Sequence, residues 1–246
     1  VAKGEKVEGF EVGDAVFGMD MRLRTASLAE YAVINQRRIA RMPKNVTFAE
    51  AAAVPLAAQT ALQGFRQAGA KEGSAVLIIG ASGGVGTYAV QIAKLLGCDT
   101  TGVCSSRNIE RVKDLGADKV IDYTQEDFRK SGEQYDVVFD VTSYETPGTC
   151  KALLKPDGHF VSTMGHARAL ISTLLTNRQK ASLVVVESYT KDLETLGAWM
   201  EAGQLKSIID CRVPLAESQW AYERSRSGRA QGKIVIEIAD AAQQAA

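Results

Sequence analysis

One stretch constrains this chain more than any other. An apolar strand, Ala75–Ile79, runs into Gly80-Ala81-Ser82-Gly83-Gly84-Val85-Gly86 and then into an apolar helix over residues 87–96. A glycine-rich turn between a buried strand and a helix N-terminus is suited to an anion. Backbone N–H groups point at it, the helix dipole favours negative charge, and glycine permits close approach. Aligned to G-x-G-x-x-G, Ala81 takes the first position, Gly83 the second and Gly86 the third. Gly83 then serves the approach of a pyrophosphate, and Gly86 the packing of helix on strand. A tight packing turn without a ligand is the bland alternative.

The surroundings make a parallel sheet. Apolar strands are predicted at 75–79, 100–104, 119–122, 135–140, 159–163 and 182–186, with helices at 86–96, 109–115, 149–154 and 193–202, and a turn at 155–158. Continuous apolar strands alternating with helices imply a sheet covered on both faces. The expected fold class is therefore α/β, a Rossmann-type doubly wound parallel sheet. Before it come a β-like segment over 7–18, a strand over 27–34, and a helix from Thr47 to Pro55 opened by a Thr47/Glu50 capping box. A second helix is expected from Ala57 to Gln67. The last strand, 233–238, lies far from the repeating unit and is expected to return to the N-terminal β segment. That gives residues 58–203 as a nucleotide-binding domain, and 1–57 with 204–246 as the other.

Composition bounds the rest. With 246 residues there is length for one large domain or two modest ones. Formal net charge is zero, which argues against a general affinity for nucleic acid or anionic membranes. No apolar run reaches the length of a membrane span, and Val1-Ala2-Lys3-Gly4-Glu5 lacks the pattern of a secretory signal. Cys98, Cys104, Cys150 and Cys211 form no C-x-x-C pair, and His159 and His166 no metal-ligand spacing, so no metal site is expected. Scattered cysteines read as reduced core residues, hence a cytoplasmic location.

Which dinucleotide is the next question. A site for NAD usually carries an acid about 20 residues past the glycines, on the ribose 2′-OH. Here the strand ends in Ser105-Ser106-Arg107-Asn108. Two hydroxyls, an amide and a guanidinium suit a 2′-phosphate, which an acid would repel. The expected cofactor is NADPH. Helix capping by Ser106 or Asn108, with Arg107 as a solvated charge, stays open beside it.

With those residues in view, the chain resembles the medium-chain dehydrogenase/reductase superfamily. The resemblance runs from Val12-Gly13-Asp14-Ala15-Val16-Phe17-Gly18 through Ala29-Glu30-Tyr31-Ala32-Val33 to Ala51-Ala52-Ala53-Val54-Pro55-Leu56. Thr60-Ala61-Leu62, the glycine loop, Leu115-Gly116-Ala117-Asp118-Lys119-Val120-Ile121-Asp122-Tyr123 and Gly232-Lys233-Ile234-Val235 are similar to its zinc-independent quinone oxidoreductase-like branch. The resemblance implies a partial GroES-like β domain built from both chain ends. It implies reduction of a quinone or an activated alkene (enone, enal) by NADPH. It also implies a homodimer through the sheet-edge strand near 182–187.

Residue by residue, Ser82, Gly83, Gly84 and Val85 match the family's pyrophosphate loop, and Ser105, Arg107 and Asn108 the region meeting the 2′-phosphate. Tyr123 resembles a tyrosine flanking the adenosine, Thr60 a threonine near the nicotinamide, and Lys233 a base near the phosphates. A strand-end aromatic, a helix-start hydroxyl and a solvated lysine are their plain alternatives. Thr142 and Gly165 close the fourth and fifth strands, where ligands of such sheets sit. No residue stands out as a general acid; Tyr31, Ser143 and Tyr144 read as core or loop residues. The resemblance also sets Val1 within the GroES-like domain, leaving its first strands outside this sequence. An NADPH-binding redox sensor or structural protein without turnover is therefore the alternative function. A zinc alcohol dehydrogenase is the weaker rival, lacking the cysteine/histidine set.

Overall fold

The computed structural model describes residues 1–20, 28–163 and 179–238. The chain divides into two compact units, Val1–Gln59 with Glu187–Ala246, and Thr60–Val186.

The second unit carries a six-stranded sheet. Its strands are β3 (Ala75–Ile79), β4 (Asp99–Cys104), β5 (Lys119–Asp122), β6 (Tyr135–Asp140), β7 (Leu154–Ser162) and β8 (Lys180–Leu183). They lie in the order β5-β4-β3-β6-β7-β8, every adjacent pair parallel. Crossovers run one way from β3 to β4 and β5, and the other way to β6, β7 and β8. The switch point therefore falls between β3 and β6, where sheets of this kind bind ligands at their carboxyl ends.

The strands read as apolar runs because both faces are buried. Leu77, Ile79, Val103, Ile121, Val138 and Phe160 pack into one core cluster with Phe128 and Leu153. Val76, Ile78, Val137 and Phe139 point the opposite way and are buried too. Phe139 meets Phe65 edge to face, centroids 5.3 Å apart. Helices α2 (Gly86–Leu95) and α3 (Ile109–Asp114) follow β3 and β4.

The first unit holds β1 (Val16–Gly18) antiparallel to β2 (Ile39–Arg41), and β9 (Ile209–Pro214) parallel to β10 (Lys233–Glu237). Helix α1 (Phe48–Ala68) begins here; α4 (Thr190–Glu201) and α5 (Ser218–Arg226) complete it.

Several expectations are corrected. The two helices predicted around Pro55 are one, α1. Pro55 removes a single backbone bond, while burial of Ala51, Val54, Ala57, Ala58 and Ala61 holds both halves in line. Thr60 is consequently a mid-helix residue, not a helix start. Residues 28–34 form no strand; Tyr31 and Val33 are exposed and have no ladder partner among the described residues. The helix predicted at 149–154 is a single turn at Lys151–Leu153, and the turn predicted at 155–158 lies within β7. There Tyr135 pairs with Leu154 and Val137 with His159, so the strand absorbs the extra residues as an irregularity.

The last sheet strand sits at Lys180–Leu183, earlier than expected. Helix α4, expected with the sheet, belongs to the first unit. Thr190 Oγ1 donates to Ile39 O at 3.0 Å and Gly197 faces Pro43 and Phe17. The chain end does return to the first unit, where Val235 packs on Ala49 and Ala53, but β10 pairs with β9 rather than with the N-terminal strands.

The capping box forms as read. Thr47 N donates to Glu50 Oε2 at 2.7 Å, and Glu50 N to Thr47 Oγ1 at 3.3 Å. These Thr47 hydrogen bonds hold the Glu50 carboxyl below its ordinary value. A depressed folded pKa gives stability that is present above the unfolded value and lost as pH falls through the folded one. Thr47→Ala should cost about 1 kcal/mol in urea unfolding at pH 7, and the deficit should shrink as pH is lowered below about 4.5.

Candidate nucleotide-binding site

The glycine loop leaves β3 at the switch point. Gly80, with φ +88°, turns the chain; its N–H and that of Ala81 both donate to Val103 O on β4. Gly83 N donates back to Gly80 O at 3.1 Å. At Gly86 a Cβ would stand 2.1 Å from Gly80 O and 2.8 Å from the Ala81 backbone. Only glycine lets α2 start there. At Gly83 a Cβ would have its nearest neighbour at 3.5 Å. That position is glycine without being needed for internal packing, as suits the approach of something from outside. The amides of Gly84 and Val85 meet no acceptor among the described residues. They lie at the positive end of α2.

At the end of β4, Asn108 is buried, and its Nδ2 donates to Ser82 Oγ and to Ser105 Oγ, each at 3.1 Å. Although Asn108 is the residue capping α3, its side chain makes no cap bond. Its Oδ1 is buried without a partner. An unmet buried acceptor costs about 1–3 kcal/mol, so this amide is held for its two donors. The capping alternative therefore fails for Asn108. Ser106 instead bonds the Asp122 carboxylate. Arg107 is exposed and makes no ion pair among the described residues. Loop amides without acceptors among the described residues, and a set of hydroxyl and guanidinium donors at the end of β4, fit a dinucleotide with an added phosphate.

Two acids that sequence reasoning missed shape the rim. Asp140, fully buried at the end of β6, accepts from Thr142 N at 2.9 Å, Thr142 Oγ1 at 2.6 Å, Ser143 N at 3.1 Å and Glu145 N at 3.0 Å. This ties down a loop in which Ser143 has φ +63°. It also sets the Thr142 methyl against Gly80, where a Cβ on residue 80 would lie 2.4 Å from it. Asp122, at the end of β5, accepts from Thr124 N at 2.9 Å and Thr124 Oγ1 at 2.7 Å. The Ser106 and Thr124 hydroxyls hold its carboxyl below the usual range. Both are Asp-x-Thr at a strand end, an Asx-turn pattern legible in the sequence.

Thr60, Ser82–Val85, Ser105, Arg107, Asn108, Tyr123 and Thr142 thus all fall in the sheet unit, and Ser82, Ser105 and Asn108 are joined directly. Thr60 is buried in the middle of α1. Tyr123 N donates to Cys104 O at 3.1 Å, and its ring is exposed. Lys233 belongs to the first unit; burial pulls its ammonium below the ordinary lysine value. Gly165 lies outside the described residues. Tyr31 and Tyr144 are exposed.

A family pattern described as zinc-binding dehydrogenase matches residues 115–236. The chain is 34% identical over 246 residues to a 2-methylene-furan-3-one reductase of Solanum lycopersicum, covering 96% of this chain and 60% of that protein. It is 33% identical over 252 residues to a chloroplast envelope quinone oxidoreductase homolog of Arabidopsis thaliana, covering 96% and 76%. The quinone oxidoreductase from Coxiella burnetii superposes with a TM-score of 0.89 at 30% identity, over 96% of this chain and 75% of that one.

The chain belongs to the medium-chain dehydrogenase/reductase superfamily, in its zinc-independent, quinone oxidoreductase-like branch. It is a member of a family of oxidoreductases with the Rossmann-type α/β fold expected. The chain spans between about three fifths and three quarters of the length of these relatives. Among the described residues no group of three His, Cys, Asp or Glu side chains converges as metal ligands, and no helix is long and apolar enough to cross a membrane. One relative is named for the chloroplast envelope, so the cytoplasmic expectation draws no support from it.

Three of the four thiols, Cys98, Cys104 and Cys150, are buried. Burial pushes Cys104 up to about 11 and Cys150 up to about 12, and raises Cys98. At pH 7.5 a thiol reagent such as Ellman's should modify at most Cys211 in the folded protein, and all four cysteines in guanidinium. Gly86→Ala should cost about 3 kcal/mol or more through its backbone clash, measured by thermal unfolding. Gly83→Ala should leave the melting point nearly unchanged while weakening nucleotide binding.

Proposed function

We propose that the chain is an NADPH-dependent reductase that passes hydride to a quinone or to an activated alkene of the enone or enal class. The observation carrying the cofactor choice is the end of β4. Where an NAD site would place an acid, this chain offers Ser105, Arg107 and the bridging Asn108 amide, and the nearby Asp122 is occupied by Ser106 and Thr124. The substrate class is supported by the relatives, one named as a quinone oxidoreductase homolog and one as a 2-methylene-furan-3-one reductase.

A reduced nicotinamide dinucleotide would supply hydride when bound. The chain's own part is positioning. The amides of Gly84 and Val85 and the hydroxyl of Ser82 would hold the pyrophosphate, and Ser105 and Arg107 the 2′-phosphate. Tyr123 offers an exposed ring beside the adenosine end, and Thr142, fixed by Asp140, lines the switch point. Thr60, Gly165 and Lys233 are carried as cofactor residues on resemblance alone. Solvent can protonate the reduced product, so no dedicated acid is assigned. We also assign a homodimer formed through the outer edge of β8, the terminal strand of the sheet among the described residues.

Purified protein should oxidise NADPH, followed at 340 nm, with 1,4-benzoquinone or an alkenal as acceptor, and should prefer NADPH to NADH. Tight NADPH binding without turnover of either acceptor would sink the reductase reading in favour of a sensor. Arg107→Glu should raise KM for NADPH about 10- to 100-fold, the range of a lost charge-assisted bond, with NADH little changed. Light scattering at micromolar concentration should give a dimer; a monomer refutes the edge pairing.

A further inference from the structure

We infer that Asn108 is a positioning residue that sets the polarity of the site, making Ser82 and Ser105 donate outward to phosphate. The inference rests on the NADPH reading and deepens it. A serine hydroxyl has one proton to give and two lone pairs to receive with. Both hydroxyls here receive from Asn108 Nδ2, at 3.1 Å each. Neither gives its own proton to any acceptor among the described residues, and both side chains are partly exposed. With the amide filling the receiving side from beneath, the free proton of each is left for whatever lies above. An anion accepts and cannot donate, so the pair is matched to phosphate oxygens.

The orientation of the amide follows from counting partners. As it stands, one acceptor, Oδ1, is unmet. Turned over, Oδ1 would receive from both hydroxyls, consuming the protons a phosphate needs, and two N–H groups would be buried instead. Ser106 shows the contrast within the same turn, because its proton is spent on Asp122. Its neighbour Ser105 keeps its own.

One side chain thereby serves two places. Ser82 sits in the glycine loop and would meet the pyrophosphate, common to NADPH and NADH. Ser105 closes β4 and would meet the 2′-phosphate, found only in NADPH. Losing the amide should weaken both coenzymes, but NADPH more.

The test is a double-mutant cycle read by calorimetric binding of NADPH and NADH. Asn108→Leu, similar in size and uncharged, should lower NADH affinity about fivefold and NADPH affinity about 25-fold, one and two weakened hydrogen bonds respectively. In a Ser105→Ala background the same change should lower both coenzymes equally, leaving the NADPH:NADH ratio of Ser105→Ala alone. Asn108→Asp, nearly isosteric, would draw both protons inward and should lower the ratio further still; it serves if the leucine variant does not fold. Equal losses for both coenzymes in the Ser105-containing protein would mean a merely structural residue and overturn the inference. So would a ratio that still drops when Ser105 is absent, or affinities within twofold of the parent. Parent protein that binds neither coenzyme would overturn the NADPH reading itself, a result distinct from these.

Discussion

The carbonyl oxygen of Gly80 lies where a side chain on residue 86 would begin, 2.1 Å from an added Cβ. That close approach brings the start of α2 back over the end of β3 in six residues. Everything at the carboxyl end of the sheet is arranged around it. Gly80 is anchored to β4 through Val103 O and roofed by Thr142 from the loop after β6. Strands on either side of the switch point are thus tied to one turn. The amides of Gly84 and Val85, without acceptors among the described residues, lie just ahead of α2, next to first-turn N–H groups that have no intrahelical partner.

Charge is handled at this rim by pairing each acid with neutral donors. Asp140 and Asp122 both end strands, and both accept from a threonine two residues on. Asp122 also takes the Ser106 proton. Neither acid forms an ion pair among the described residues. Donors not spent on these acids, those of Ser82, Ser105 and Arg107, remain for an anion. Binding and discrimination would come from which protons are already committed.

The sheet and its loop were legible because their signals are local. The apolar runs of the inner strands reflect burial on both faces, and the Gly83/Gly86 spacing reflects one position with open space for a Cβ and one packed against backbone. Pro55 misled, since the burial of α1 that overrides it comes from tertiary packing. Tyr31 and Val33 alternate as a strand would, but strand formation needs a partner that no residue string supplies. The Lys155–Gly158 turn was overridden by pairing with β6. Asn108 was legible as a polar residue at the right place. Its bond to Ser82, 26 positions back, depends on β3 and β4 being neighbours, which periodicity does not state.

The central claim is that the β3–α2 turn and the end of β4 together hold a phosphorylated dinucleotide. Amide hydrogen exchange with and without saturating NADPH tests it most directly. The account predicts slowed exchange at Gly84 and Val85 and across residues 105–108, with 2′,5′-ADP reproducing the second effect. Unchanged exchange in both stretches while NADPH is bound would contradict it.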